Sequence, residues 1–397
     1  MGQRTENLEQ FAIDVILERR RGVRAVLLRA LLYALSFIYE RAVQLRLFLY
    51  RKRIFREHAL GCLVISIGNL TVGGTGKTPI VEKFARAMRA GGRRVAILSR
   101  GYKSVPRPAP KKWWQRLGRK KDPVPPRIVS DGRTLLLDSL TAGDEPYMLA
   151  NNLKDVIVLV DKDRVKSGLF AIKELKADTL LLDDGLQYLH LKHRLDIVLI
   201  DKQAPFGNEH LLPRGTLREP PRNLRRASYI FITKSTGEPN DQLIKRIRRY
   251  NRTAEIIECA HQPLHLQNIL TGEVVPLERL RDIYVGSICG IAAPESFEGG
   301  LQKLGARLEL SKRYTDHHRY TEAELNSFIT RCIRRDLEMI VTTEKDAVRF
   351  PRLAKTEVPI YFLRVEIEIL SGHESWEHCV ARICKPQPML SPERFFA

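Results

Sequence analysis

Apolar residues crowd the stretch Val23 to Tyr50, leucine and alanine dominate it, and it contains neither glycine nor proline, so the pattern predicts one long helix. Its longest uncharged run, Ala30 to Tyr39, is ten residues, about half of the ~20 that a spanning helix needs. Arg24, Arg29, Arg41 and Arg46, interleaved with Tyr33, Tyr39 and Tyr50, fit a helix that lies in a membrane interface with its basic groups level with lipid phosphates. A helix packed on the protein's own core fits the same hydrophobicity. The stretch does not read as a cleaved signal peptide, because the charged segment before it is long and no small-residue cleavage site follows.

After Leu60 the pattern changes to short apolar runs, each bounded by polar or turn residues. Leu63–Ile67, Val95–Leu98, Val156–Val160, Thr179–Leu182, Ile197–Ile200 and Tyr229–Ile232 are apolar at every or nearly every position, as strands buried on both faces of a parallel sheet must be. Helical patterns over Ile80–Ala90 and Val165–Leu175 separate several of them, which predicts a doubly wound, mostly parallel α/β sheet. A second, smaller α/β set begins near Asp282, with strand-like Tyr284–Cys289, Arg307–Leu310, Met339–Thr342 and Ile360–Leu363. Helical patterns at Pro294–Leu304 and Glu322–Arg334 lie between these strands. Glu258–Glu278 carries no strong period and reads as a connection. The expected organisation is therefore a basic, hydrophobic membrane-associated helix in 1–60, a larger α/β domain in 61–260, a connection in 261–281 and a C-terminal α/β domain in 282–397.

Composition changes this picture in two places. Lys plus Arg outnumber Asp plus Glu by 67 to 46 in 397 residues, a formal charge of +21 that favours an anionic partner. Residues 1–60 hold 12 basic and 6 acidic side chains, and residues 101–130 hold 9 basic ones against Asp122 alone. Neither run has the finger, repeat or aromatic spacing of a nucleic-acid module, so a specific nucleic-acid partner is not expected and an anionic membrane surface is. The stretch 103–127 has six prolines and no periodicity, and it reads as a basic loop inserted in the larger domain. Trp113 and Trp114 beside Lys111 and Lys112 would suit a membrane interface, and a solvated loop fits equally. The six cysteines never fall at C-x-x-C spacing, so no zinc or redox motif is present and the thiols read as packing residues of a reducing compartment.

The strongest chemical signal is TVGGTGKTP, Thr71 to Pro79, after a predicted strand and before a predicted helix. Backbone N–H groups of such a loop, with a helix N-terminus behind them, cradle phosphate oxygens, and glycine lets the backbone approach closely. Thr71, Val72, Gly73, Gly74, Thr75, Gly76, Lys77 and Thr78 are thus the expected nucleotide contacts, with Lys77 on the β and γ phosphates and the Thr78 hydroxyl on Mg²⁺. The pattern is that of a P-loop, except that Thr71 stands where its first glycine belongs. Asp183 and Asp184 end a buried apolar run and supply the carboxylates that such a metal site needs. Arg214 and Arg218, in a proline- and arginine-rich stretch, carry guanidinium forks suited to an acceptor phosphate.

Three kinds of P-loop protein compete. Partition and arsenical-pump ATPases carry lysine at the second loop position, where this chain has Val72. The D-x-x-G and N-K-x-D elements of a GTPase are missing. The third kind accounts for more of the chain. Beside TVGGTGKTP stand Ser99-Arg100-Gly101-Tyr102, Gly143-Asp144-Glu145-Pro146, Asp183-Asp184-Gly185-Leu186-Gln187 and Leu212-Pro213-Arg214-Gly215 with Leu217-Arg218-Glu219-Pro220. Cys289-Gly290-Ile291, Asp316-His317-His318 and Thr343-Glu344-Lys345-Asp346 follow in the same order. Together they resemble the tetraacyldisaccharide 4'-kinase family of lipid A biosynthesis.

That resemblance implies transfer of the ATP γ-phosphoryl group, with Mg²⁺, to the 4'-hydroxyl of a tetraacylated glucosamine disaccharide 1-phosphate held in a membrane. It also implies action at the cytoplasmic face of the bacterial inner membrane, with the first helix as the membrane element. It points to Asp144 as the proton acceptor with His317 as its partner, the two meeting as the domains close. Glu145, Gln187 and Arg100 are implied as metal, water or phosphate contacts. The chain departs from the family at Leu186, where phenylalanine is usual, and at Tyr188, where histidine is usual, so no role of that imidazole carries over.

Overall fold

The computed structural model describes residues 11–102, 104–105 and 124–385. Both tryptophans of the basic insertion lie outside the described residues. After a helical turn at 11–16 the chain runs through α1 (Val23–Arg51), β1 (Leu63–Asn69), α2 (Lys77–Ala90), β2 (Val95–Ser99) and β3 (Arg127–Asp131). Next come α3 (Ser139–Ala142), α4 (Asp144–Asn152), β4 (Ile157–Val160), α5 (Arg164–Lys173), β5 (Thr179–Asp183), β6 (Leu195–Asp201) and β7 (Tyr229–Thr233). They are followed by α6 (Asp241–Arg248), β8 (Glu255–Asn268), β9 (Val274–Val275), β10 (Tyr284–Cys289), α7 (Pro294–Lys303) and β11 (Arg307–Arg313). The last elements are α8 (Glu322–Ile333), β12 (Met339–Thr343), α9 (Glu344–Ala347), β13 (Ile360–Ser371) and α10 (His373–Cys384).

Contacts group the chain into two compact units, neither of them a single stretch. The first comprises Met1–Lys77, Thr179–Ala260 and Ile369–Ala397, and the second Thr78–Asp178 and His261–Glu368.

In the first unit β1 lies between β5 and β6, β7 follows β6, and β8 follows β7, all parallel. The register sets Ile67 opposite Asp183, so the loops leaving β1 and β5 emerge side by side at the carboxyl edge, where parallel sheets place their ligands. Every residue of β1, β5 and β7 is buried, which explains their unbroken apolar runs. Val198, Ile200, Ile230 and Ile232 pack with Leu70, Leu186, Phe206 and Leu217 in one core, so the turns that carry the site rest on the sheet itself.

Helix α1 belongs to this unit. Ser36 Oγ donates to the Leu211 carbonyl at 2.9 Å and Tyr39 Oη to the Arg218 carbonyl at 3.0 Å, fastening one side of the helix to the stretch before the site. Val23, Leu27, Phe37 and Ile38 are each more than half exposed. Among the described residues no helix is long and apolar enough to cross a membrane.

In the second unit β11, β10, β12 and β13 are parallel in that order, β2 is parallel to β4, and β3 runs antiparallel to β4. Helix α8 begins in a capping box, in which the Thr321 hydroxyl accepts the Glu324 N–H while the Glu324 carboxylate accepts the Thr321 N–H. Leu325, Phe328 and Ile329 of this helix pack on Ile288, Ile340 and Ile360. The sheet is thus mixed and mostly parallel, as expected. The stretch expected to connect domains instead holds the second half of β8 and all of β9, paired antiparallel with Leu266 opposite Val275.

Candidate active site

The glycine loop spans the gap between β1 and α2. Gly73 and Gly76 have φ of 118° and 76°, left-handed values that favour glycine over any residue with a Cβ. Thr71 has no such requirement. It is buried, bridges Leu217 in antiparallel fashion, and accepts Asn69 Nδ2 at its carbonyl (2.8 Å) and its hydroxyl (3.1 Å). A side chain at this position therefore does a job that glycine could not. Val72 N–H donates to Thr216 O at 2.7 Å, and Thr233 Oγ1 donates to Thr75 O at 2.9 Å, so the loop is pinned from both sides.

Lys77 Nζ donates to Asn69 Oδ1 at 3.2 Å and stands 3.7 Å from Asp184. Arg218 Nη1 binds both oxygens of Asp184, at 2.9 and 2.7 Å, and Gln187 Oε1 at 3.2 Å. Gln187 Nε2 in turn donates to the Asn69 carbonyl and to Glu219, each at 3.1 Å. The expected residues Lys77, Asp184, Gln187 and Arg218 thus form one network, with Asp184 between two cations. The turn that carries it is tight. Asp184 has φ of 54°, and a Cβ on Gly185 would come within 2.6 Å of Leu182 Cβ.

Asp183 closes β5 as a buried carboxylate. Thr75 Oγ1 is buried with no hydrogen-bond partner among the described residues. Hard oxygen donors at the carboxyl edge suit Mg²⁺, which takes one or two carboxylates and completes its shell with phosphate and water. No group of three or more His, Cys, Asp or Glu side chains arranged to hold a metal occurs among the described residues.

The second unit holds the other group. Asp144 opens α4 behind Gly143, whose φ is 95° and where a Cβ would lie 3.1 Å from the Tyr102 carbonyl. The Asp144 side chain is buried, and its Oδ1 accepts Arg319 Nη2 at 2.8 Å. Its Oδ2 accepts Arg349 Nε at 2.8 Å and lies 3.3 Å from His317 Nδ1. Burial alone would raise the pKa of Asp144, but the hydrogen bond to His317 and the charges of Arg349 and Arg319 outweigh it and hold the carboxyl below the usual range. Lys345 Nζ sits 3.4 Å from His317 Nε2 and 3.5 Å from Glu145. Because Asp144 and His317 lie within one compact unit and are already paired, no closure of domains is needed to join them.

Other expected residues have different surroundings. Arg100 is exposed at the end of β2. Arg214 is buried, with its guanidinium on Glu18 and the Ile16 carbonyl. Sequence reasoning missed Arg319 and Arg349, and it gave no role to Lys345, although Lys345 falls in one of the quoted stretches. It also missed a buried cluster in the second unit. Arg364 Nη1 binds both oxygens of Glu344 at 2.7 Å, and its Nη2 binds Glu82 of α2. Asn152, at the end of α4, bridges the two carboxylates at 2.6 Å (Glu344) and 3.3 Å (Glu82).

The chain matches the family model described as tetraacyldisaccharide-1-P 4'-kinase over residues 28–385. A protein described as tetraacyldisaccharide 4'-kinase from Syntrophus aciditrophicus is 38% identical over 365 residues, covering 89% of this chain and 93% of that protein. One of the same description from Halothermothrix orenii is 32% identical over 384 residues, covering 92% and 95%. Among solved structures, LpxK from Aquifex aeolicus in complex with ATP superposes with a TM-score of 0.69 at 28% identity, covering 90% of this chain and 99% of that one. With these matches running through both groups of site residues, the chain belongs to the tetraacyldisaccharide-1-phosphate 4'-kinase family.

Proposed function

We propose that this protein transfers the γ-phosphoryl group of ATP to the 4'-hydroxyl of a tetraacylated glucosamine disaccharide 1-phosphate at the cytoplasmic face of the inner membrane. The observation that carries this reading is a glycine turn whose lysine, Lys77, is held between Asn69 and Asp184 at the carboxyl edge of a parallel sheet. The partition-type ATPase alternative is disfavoured by Val72, which stands where that class needs a lysine.

In the reaction, a bond forms between the 4' oxygen and the γ phosphorus while the bond from the γ phosphorus to the β–γ bridging oxygen breaks and ADP leaves. Lys77 and the backbone N–H groups of Gly73 to Thr78 meet the phosphates, and Arg218 and Asp184 fix where Lys77 stands. Thr78 and Asp183 are the residues that would hold Mg²⁺, with Asp184 and Glu145 beside cations of their own; bound there, the ion neutralises phosphate charge. Asp144 accepts the hydroxyl proton, and His317 and the two arginines keep it ionised and oriented. A low pKa makes it a weak base that is always ready. Transfer to a metaphosphate-like centre asks for little more, because the hydroxyl becomes acidic only as the new bond forms.

The exposed apolar side chains of α1 support a helix lying on the membrane that holds the acceptor. On this reading residues 1–60 serve the membrane, and the glycine loop from Thr71 to Thr78 serves the nucleotide. The test is incubation of purified protein with γ-labelled ATP and separate acceptors: the disaccharide lipid, free glucosamine, nucleic acid and none. Label in the lipid alone supports the kinase. Equal release of inorganic phosphate with no acceptor would overturn it.

A further inference from the structure

Beyond the C-terminal end of α1 the chain turns back and builds a pocket that the reaction does not use. Ile54 and Phe55 N–H groups donate to the Leu49 carbonyl, ending the helix. The strand-like residue His58 then docks beside Leu191: His58 N–H donates to His190 O at 2.7 Å, and Lys192 N–H donates to His58 O at 3.0 Å. Between helix end and returning chain lies a cavity of about 400 Å³. Tyr50 forms its buried wall, edge-on to Phe55 at 5.4 Å and to His190 at 5.7 Å. Arg46, Arg56, His58 and His190 surround it, and among the described residues no acidic side chain is part of the lining.

The chemistry is one-sided. Two guanidinium groups offer only donors to an anion, and two imidazoles add ring N–H donors, all of them exposed around the Tyr50 ring. Arg46 spends one donor on the Gln187 carbonyl at 3.2 Å, and its guanidinium carbon stands 5.9 Å from the centre of the Tyr50 ring. The neighbourhood narrows the anion further. Ile54 and Phe55, at the mouth, are exposed at 62% and 45%, and they continue the apolar side chains that α1 presents through Leu45 and Phe48. Apolar groups that enter the acyl region would hold an arginine-lined cup at headgroup depth.

We propose that this pocket binds the phosphate of an anionic phospholipid headgroup and so fixes the depth and rotation of α1 on the membrane. The proposal rests on the reading of α1 as a membrane-surface helix. The experiment is flotation of the full-length protein with vesicles of phosphatidylcholine alone and of phosphatidylcholine mixed with phosphatidylglycerol. It compares the wild type, the pair R46Q/R56Q, and a control pair of equal charge change, R225Q/R252Q, each checked for an unchanged melting temperature.

The mixed vesicles should bind the wild type much more strongly than phosphatidylcholine. R46Q/R56Q should lose about twentyfold of that binding, while the control pair loses little. Equal losses in both pairs would mean general charge attraction and sink the site. Absence of binding to any vesicle would instead sink the membrane reading of α1, and the site with it. Release from the mixed vesicles by inorganic phosphate, at the concentration of the lipid phosphate, would assign the pocket to free phosphate and overturn the lipid assignment.

Discussion

Arg349 holds Asp144 from inside the protein: its fully buried side chain donates from Nε to Asp144 Oδ2 at 2.8 Å, while Nη1 binds Asp346 at 3.0 Å and the Gly290 carbonyl at 3.0 Å. Arg319 grips the other oxygen of the same carboxylate from a partly exposed position. The two arginines divide the work, and substitution separates it. Arg349→Met takes the buried cation from Asp346 and one of two arginines from Asp144, and is expected to cost about 3–5 kcal/mol, measured as a shift of the chemical denaturation midpoint. Arg319→Gln removes one charge where solvent can enter, and its stability should change by less than about 1 kcal/mol. Its signature is kinetic: with one lowering influence gone, the pKa of Asp144 rises and the acid limb of kcat/KM moves to higher pH.

Asp144 itself links stability to pH. Its folded pKa lies below its unfolded value, so the ionised form contributes stability that is complete above the ordinary carboxylate range and is lost as pH falls through the depressed value. In Asp144→Asn that acid-side loss should shrink, seen as a smaller fall in melting temperature on acidification. The same variant should reduce kcat by roughly 10²- to 10⁴-fold with little change in KM for ATP. A variant with near-normal turnover at neutral pH would remove Asp144 from the proton-acceptor role.

Much of this arrangement was legible because of burial. Strands such as Leu63–Asn69 and Tyr229–Thr233 are covered on both faces, so their apolar runs stand out from any neighbouring pattern. β8 hid for the opposite reason. Its residues mix buried, half-exposed and exposed positions, and Gln262, Pro263 and His265 break the apolar signal. The site divides similarly. Lys77, Asp184, Gln187 and Arg218 sit in short stretches whose chemistry is local. Arg319 and Arg349 reach Asp144 from 175 and 205 residues away, and nothing in either local stretch announces that. The pairing of Asp144 with His317 came through family resemblance, and only the shared compact unit explains why it stands without domain closure.

The Glu82–Arg364–Glu344 cluster ties α2, which begins at Lys77, to the short helix that carries Lys345. Burial raises the pKa of Glu344 against the opposing pull of Arg364. A raised carboxyl pKa penalises the folded state once pH exceeds the unfolded value, so Glu344→Gln should flatten the stability profile on that side. Arg364→Leu is expected to lower stability by about 3–5 kcal/mol because it leaves buried Glu344 without its cation and Glu82 with Arg86 alone. Differential scanning calorimetry of the two variants against pH checks both statements.

Gly68 and Gly185 show how closely the Asp184 turn sits on the sheet. A Cβ on Gly68 would meet Leu186 Cβ at 2.7 Å, and one on Gly185 would meet Leu182 Cβ at 2.6 Å and Ser66 Oγ at 2.9 Å. Either alanine substitution must push the turn off β1 or β5, at a cost of about 1–3 kcal/mol. Since the turn carries Asp184, the displacement should also misplace Lys77, raising KM for ATP. Full ATP affinity in Gly185→Ala would show that the turn gives way without moving its aspartate.

Helix α1 offers a test in which folding and membrane contact can be separated. Deleting the helix would be uninformative, because Ser36 and Tyr39 brace the stretch that leads to Arg218, and its loss would disturb the phosphate network directly. Leu27 and Ile38 are exposed at 66% and 64%, so serine at both positions removes apolar surface that the described structure leaves to solvent. Stability should change by less than about 0.5 kcal/mol, and KM for ATP should stay where it was. On a membrane surface each of those side chains contributes roughly 1.5–3 kcal/mol when fully buried in lipid. The double variant should therefore raise the apparent KM for acceptor in vesicles by at least about tenfold, with little effect on acceptor dispersed in detergent. An unaltered KM in vesicles would place α1 away from the lipid and leave its exposed leucines without a function.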